Sequence, residues 1–218
     1  MRIGILGSGL MGGKLGTLFA RAGHDVVFSY ARSTRKLERL AREAKGSARA
    51  GTPREAARGS DVLLLAIHWS RVGDVLKQTG SLSGKVVVSC TLPMSVDDTG
   101  LVVGRTSSGA EVLAKRLRGA RFVAAFGTVP SEVLFGVFAA RRRPRRPSML
   151  YCGDDLRSKA VAEALIRDIG FEPVDAGPLR ISRFLEPFTL LIAQLAYEGD
   201  RGPELAYRFE WLRRPARK

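Results

Sequence analysis

The chain reads as an α/β protein of Rossmann type, a doubly wound and mostly parallel sheet followed by a small C-terminal helical extension. Three observations predict this. Over the first 125 residues, short apolar runs rich in β-branched residues alternate with amphipathic stretches that end in glycine, the pattern of βαβ units. The turn Gly7-x-Gly9-x-x-Gly12 leaves the first apolar run and opens the first amphipathic stretch. The run Asp61-Val-Leu-Leu-Leu-Ala-Ile67 has no polar alternation, as expected of a central strand buried on both faces.

Taken in order, strands are expected at 2–6, 25–30, 62–67, 85–90, 121–126 and 148–152. Between the first two, Leu10, Leu15, Leu18 and Phe19 recur at helical spacing, and Gly23 stands where a C-terminal helix cap belongs. Pro130, Pro144, Pro147 and the run Arg141-Arg-Arg-Pro-Arg-Arg-Pro147 break the pattern, so a loop is expected within 130–147. A helix at 156–169, an extended piece from Phe171 to Val174, and helices at 181–198 and 203–212 should follow. This divides the chain into a nucleotide-binding domain, 1–152, and an extension, 153–218, that completes a second-substrate pocket. Phe184, Leu185, Phe188, Leu191, Ile192 and Leu195 cover more than one face of their helix. They suit either a homodimer interface or an internal core helix.

Composition narrows the class. With 218 residues, 45% hydrophobic and 26% charged, the chain can bury a core, which excludes a disordered or fibrous protein. Met1-Arg2 leads directly into the first strand without the pattern of a secretory leader, so a cytoplasmic location is expected. The longest apolar stretch, Pro187 to Tyr197, contains Gln194 and falls well short of the roughly 20 residues that span a bilayer. Cys90 and Cys152 lack metal-site spacing, so no metal is expected and two reduced thiols are the plain reading. The net charge of +15 raises nucleic acid as a partner, but the cations, such as Arg35, Arg39, Arg42 and Arg49, are scattered among acids along helices, which disfavours it.

The glycine turn carries the chemistry. Gly7 permits the turn, Gly9 lets backbone approach a pyrophosphate, and Gly12 allows close helix-to-strand packing, while the helix N-terminus offers free N–H groups to the anion. Ser8, Leu10 and Met11 belong to the same binding turn. NAD-binding domains place an acid at the end of strand two. Here that position reads Ser29-Tyr30-Ala31-Arg32-Ser33-Thr34-Arg35-Lys36, hydroxyls and cations suited to a 2′-phosphate and hence to NADP(H). Ile67-His68-Trp69 and Leu92-Pro93-Met94 follow the carboxyl ends of later strands and should flank the ribose and nicotinamide. His68 reads either as a general acid or, more ordinarily, as a structural or ribose contact; His24, on the opposite edge, reads as structural. No nucleophile elbow, Tyr-x-x-x-Lys pair or other acid–base set is present, so no catalytic side chain is assigned.

The segments Ile3–Gly9, Ala22–Val27, Phe126-Gly-Thr-Val-Pro130, Cys152-Gly-Asp-Asp155, Pro173–Leu179 and Arg183-Phe-Leu-Glu-Pro187 give the chain a resemblance to a known family. It resembles the F420-dependent NADP reductases and the NADPH-binding domain of membrane ferric reductases. The resemblance implies hydride transfer between NADP(H) and coenzyme F420 or a flavin, with the two rings stacked at the carboxyl edge of the sheet. It implies that Ser8 to Met11 meet the pyrophosphate, and that Tyr30, Arg32 and Lys36 meet the 2′-phosphate. Leu92, Met94 and Ser131 would line the nicotinamide, Gly127, Thr128, Val129 and Pro130 would border the second ring, and Leu205, in the last helix, would close the pocket. The chain departs from the family pattern twice. It has an extra residue near strand two, leaving the phosphate contact open between Ser29 and Tyr30, and it has Gly127 where a His or Asn is common. Two other functions fit the same residues: an NADPH-dependent reductase of a small imine or keto acid, and a non-catalytic NADP(H) sensor. The run Arg141–Arg146 is either a solvated loop or an attractor for an anionic substrate tail.

Overall fold

The computed structural model of the protein describes residues 1–212. Its strands are β1 (Arg2–Leu6), β2 (Asp25–Ser29), β3 (Ala48–Ala50), β4 (Val62–Leu65), β5 (Val86–Ser89), β6 (Arg121–Ala125), β7 (Ser148–Gly153) and β8 (Glu172–Asp175). Its α-helices are α1 (Leu10–Arg21), α2 (Thr34–Glu43), α3 (Pro53–Gly59), α4 (Val72–Thr79), α5 (Gly109–Arg116), α6 (Val133–Ala139), α7 (Leu156–Asp168) and α8 (Ser182–Tyr197).

All eight strands join one sheet in the order β3-β2-β1-β4-β5-β6-β7-β8. Every neighbouring pair is parallel except β6 with β7. The chain order reverses between β1 and β4, which opens the crevice at which such sheets bind ligands. β4 and β5 are buried along their whole length, as their unbroken Val and Leu runs require of central parallel strands. The boundary expected at residue 152 falls inside β7, and β8 extends the same sheet.

Two apolar layers cover the faces. Leu15, Leu18 and Phe19 of α1 pack with Phe126, Phe138 and Ile166 on one side; Ala56, Val75 and Leu113 pack with Leu63, Phe122 and Leu179 on the other. Local chemistry sets the helix starts. Thr52 and Glu55 cap each other's backbone ahead of Pro53, while Ser108 opens α5 and Asp155 opens α7 by accepting backbone N–H groups.

Three elements differ from expectation. β3, Ala-Arg-Ala, has no apolar run to announce it and forms by pairing with β2. The loop expected within 130–147 is present, mainly as the Arg-rich stretch 140–147, but Val133–Ala139 before it forms a helix not expected from the sequence. The helix expected at 203–212 is absent: the segment is extended, its Tyr207 carbonyl accepts from Ser148 N at 2.8 Å, and Phe209 N donates to Ser148 Oγ at 2.9 Å. Pro203 carries no amide hydrogen to donate, and Leu205, Tyr207, Phe209 and Trp211 alternate at the period of two that suits a strand-like chain.

Candidate active site

The glycine turn is built as the backbone chemistry demands. Gly7 adopts φ +108°, a conformation that favours glycine, and a Cβ there would collide with Ile67 and the Ala66 carbonyl. A Cβ on Gly12 would strike the Gly7 carbonyl, so the close approach of α1 to the turn needs both glycines. Gly9 is different: an added Cβ would meet nothing within 4 Å, so the fold itself does not call for glycine there. Gly9 caps α1 with no side-chain bond, leaving the first N–H groups of the helix facing an open cleft.

That cleft, about 1520 Å³, brings together most of the residues singled out in the first half of the chain. Gly7, Ser8, Gly9, Leu10, Tyr30, Arg32, Ser33, Lys36, Ile67 and His68 all line it. Arg35, Arg39 and Arg42 from α2 extend its basic wall. Ser29 and Tyr30 divide their work. Ser29 is buried, and its Oγ donates to the Ile5 carbonyl at 2.7 Å inside the sheet; Tyr30 faces the cleft and donates from its hydroxyl to Asp74 Oδ2 at 2.5 Å. Burial and the Asp74 bond push the Tyr30 phenol up to about 12, and the same bond lowers Asp74. Met11 and Trp69 turn instead toward the two apolar layers. His68 Nε2 lies 3.0 Å from Asp98 and Nδ1 lies 2.8 Å from Ser70, so both ring nitrogens have partners. His24, between Asp168 and the N-terminus, sits in a structural setting.

A second, narrow cavity of about 30 Å³ opens at the ends of β5 and β6. Leu92, Gly127 and Thr128 line it, together with Cys90, Thr91, Leu150, Leu185 and Glu186. Pro93 packs against Gly109, Met94 bridges to Leu101 in the long β5–α5 connection, and Val129 and Pro130 are buried beside the cavity loop. Ser131 accepts from Lys14 Nζ at 2.9 Å, tying that loop to α1. Leu205 is half-buried on the extended tail and does not line this cavity, whereas its neighbour Tyr207 donates to Thr128 Oγ1 at 2.8 Å.

Glu186 is the residue that sequence reasoning missed. It is buried on α8, where its two carboxylate oxygens accept from Gly109 N and Ala110 N at 2.9 Å each. Burial raises its pKa, while the two amide bonds pull the other way. The available signal was an acid set among the apolar positions of a helix, a pattern that calls for a buried partner. Desolvation also pushes the Cys90 thiol up to about 12.

The later motif segments prove to be architectural. Asp154 accepts from Leu179 N at 2.9 Å, Asp175 accepts from Gly177 N at 2.8 Å, and Lys159 reaches Asp175 at 2.7 Å. Cys152 Sγ lies 3.1 Å from Ser182 Oγ. Together these contacts fix the end of β7 against the start of α8. Among the described residues, no group of three or more His, Cys, Asp or Glu could hold a metal ion, and no helix is long and apolar enough to cross a membrane.

Residues 2–93 match the family model described as NADP oxidoreductase, coenzyme F420-dependent. Metalloreductase STEAP3 of Rattus norvegicus is 27% identical over 189 residues, which cover 87% of this chain and 36% of that protein; the chain thus spans about a third of that relative. A solved structure from Arthrobacter sp. FB24, provisionally described as an F420-dependent NADP-reductase, superposes with a TM-score of 0.83 at 18% identity, covering 96% of this chain and 99% of the other. The reductive aminase of Aspergillus terreus, solved with NADPH4, gives a TM-score of 0.63 at 22% identity over 88% of this chain and 60% of the other. These structures share the fold. Residues 2–93, which carry the glycine turn and the basic end of β2, are thus similar to the F420-dependent NADP oxidoreductase family.

Proposed function

We propose that the protein binds NADP(H) in the large cleft and exchanges hydride with coenzyme F420 or a flavin at the carboxyl edge of β5 and β6. The observation that carries this reading is the coincidence, in one cleft, of an open Gly9 face at the start of α1 with Arg32, Lys36 and their neighbours at the end of β2. The empty space over Gly9 fits a pyrophosphate laid on the helix N-terminus. The cations fit a 2′-phosphate, where a dinucleotide without that group would favour an acid.

Hydride passing directly from a nicotinamide to a stacked ring needs contact geometry more than a protein acid or base. The chain's part is then to position. Ser8 to Leu10 seat the phosphates, Arg32 and Lys36 hold the 2′-phosphate, and the Leu92 and Gly127–Thr128 loops shape the ring site. Glu186 keeps α8 seated on α5 behind that site. Gly127 presents no side chain to the second ring, and a Cβ there would make only ordinary contact, 3.6 Å from the Cys90 carbonyl, so the fold itself does not require glycine at this position.

The reading includes a cytoplasmic homodimer. Phe184, Leu191 and Leu195 form an exposed apolar stripe along α8 suited to a second copy. The direct test is anaerobic oxidation of NADPH with oxidised F420, FMN or FAD as acceptor. Turnover with one of them is the expected result, and none with all three would remove the enzymatic claim.

A further inference from the structure

Three acids line the cofactor cleft: Glu38 among the arginines of α2, Asp98 beside His68, and Asp74 in the first turn of α4. Asp74 is the one that reaches toward the end of β2, where a nucleotide-binding sheet reads the adenosine ribose. A free carboxylate here would do two things. It would accept from a ribose 2′-hydroxyl, as the strand-two acid does in NAD-binding domains, and it would repel a 2′-phosphate.

Asp74 is not free. Tyr30 donates to its Oδ2 at 2.5 Å, and Gln78 Nε2 donates to its Oδ1 at 3.3 Å. Tyr30 makes this contact from a left-handed backbone, φ +57°, which is unusual for a bulky residue and is fixed in part by Ser8 N donating to the Tyr30 carbonyl at 3.0 Å. The chain thus holds an aromatic residue in a strained backbone conformation from which its hydroxyl spans the cleft wall to α4. Strain of this kind persists only where the surroundings impose it, and it concentrates at binding sites.

We propose that Tyr30 sets the choice between NADP(H) and NAD(H) by capping Asp74, so that a carboxylate placed to read a ribose hydroxyl is withdrawn from that role. The inference rests on the NADP(H) reading above and assigns Tyr30 and Asp74 a joint part in it. Tyr30 is the specificity-determining contact, and Asp74 is the group it masks. Arg32 and Lys36 supply attraction for the 2′-phosphate, while the cap leaves Asp74 its charge but occupies the oxygen that would otherwise accept from a ribose hydroxyl.

The test is isothermal titration of NADPH and NADH against wild-type protein, Tyr30→Phe, Asp74→Asn and the double variant, with melting temperatures taken alongside. Tyr30→Phe should lower the NADPH-to-NADH affinity ratio about tenfold, the scale of one hydrogen bond to a charged group. Asp74→Asn should hold or raise the ratio, and the double variant should recover at least the wild-type ratio, because the uncapped charge is gone. A ratio unchanged within about twofold in Tyr30→Phe overturns the inference, as does a double variant as poor as Tyr30→Phe alone. Wild-type protein that binds neither nucleotide overturns the NADP(H) reading itself and this inference with it, whereas wild-type preference for NADPH with an indifferent Tyr30→Phe overturns only the cap.

Discussion

Arg183 of α8 grips Glu111 of α5 through two hydrogen bonds, Nε to Oε2 at 2.8 Å and Nη2 to Oε1 at 2.6 Å. The guanidinium holds the Glu111 carboxyl below its ordinary value of 4.5. A carboxyl depressed on folding adds stability above its unfolded pKa and loses that contribution as pH falls through the folded value. Glu111→Gln should therefore melt lower than wild type near neutral pH, and the gap should close as pH drops below 4.5. Thermal melts across that range check it, and a pH-independent gap would show that the ion pair is not its source.

Glu186 presents a sharper case because its partners are backbone. Glu186→Ala would leave Gly109 N and Ala110 N without their acceptors. Each unsatisfied buried donor costs about 1–3 kcal/mol, and each kcal/mol is about 2–4 °C of Tm in a chain of this length. Calorimetry should thus record a fall of several degrees, with Glu186→Gln, which keeps one carbonyl acceptor, falling less. The alanine variant should also raise KM for the second substrate more than for NADPH, since α8 backs the cavity at β5 and β6 and not the larger cleft.

Gly9 and Gly12 should separate binding from folding. Gly12→Ala forces a Cβ into the Gly7 carbonyl and should lower Tm clearly. Gly9→Ala meets open space, so its stability should stay within the roughly 0.5 kcal/mol scatter of surface changes while NADPH affinity falls about tenfold or more. Unchanged NADPH affinity in Gly9→Ala would move the pyrophosphate away from this turn.

At the end of β2, replacing Arg32 and Lys36 together with Ser should weaken NADPH far more than NADH. The loss should shrink as salt rises, because both groups line an open cleft where charge is screened within about 10 Å at 0.1 M salt. Titrations at two ionic strengths would show it. Equal losses for the two nucleotides would remove the 2′-phosphate from this wall.

The sequence by itself determined the sheet's parallel core, the glycine turn, the basic end of β2 and the helices α1, α7 and α8. These are written in local terms: a residue's backbone freedom, a period of two or 3.6, a run of Val and Leu with no polar break. Short or context-driven pieces escaped. β3 forms because β2 offers it an edge, and the tail from Leu205 to Trp211 is extended because Ser148 and Thr128 bond Tyr207 and Phe209. Both depend on partners distant along the chain, which no local pattern records.

Tertiary structure alone decided how charged and polar groups distant along the chain pair. Tyr30 and Asp74 are 44 residues apart, and Glu186 is 77 from Gly109, so nothing in either neighbourhood announces the contact. It decided that Ser29 turns inward and Tyr30 outward, although both stand in the same basic stretch. Hydrogen bonds and ion pairs require atoms within about 3 Å, and only the packed layers bring segments of such separation that close.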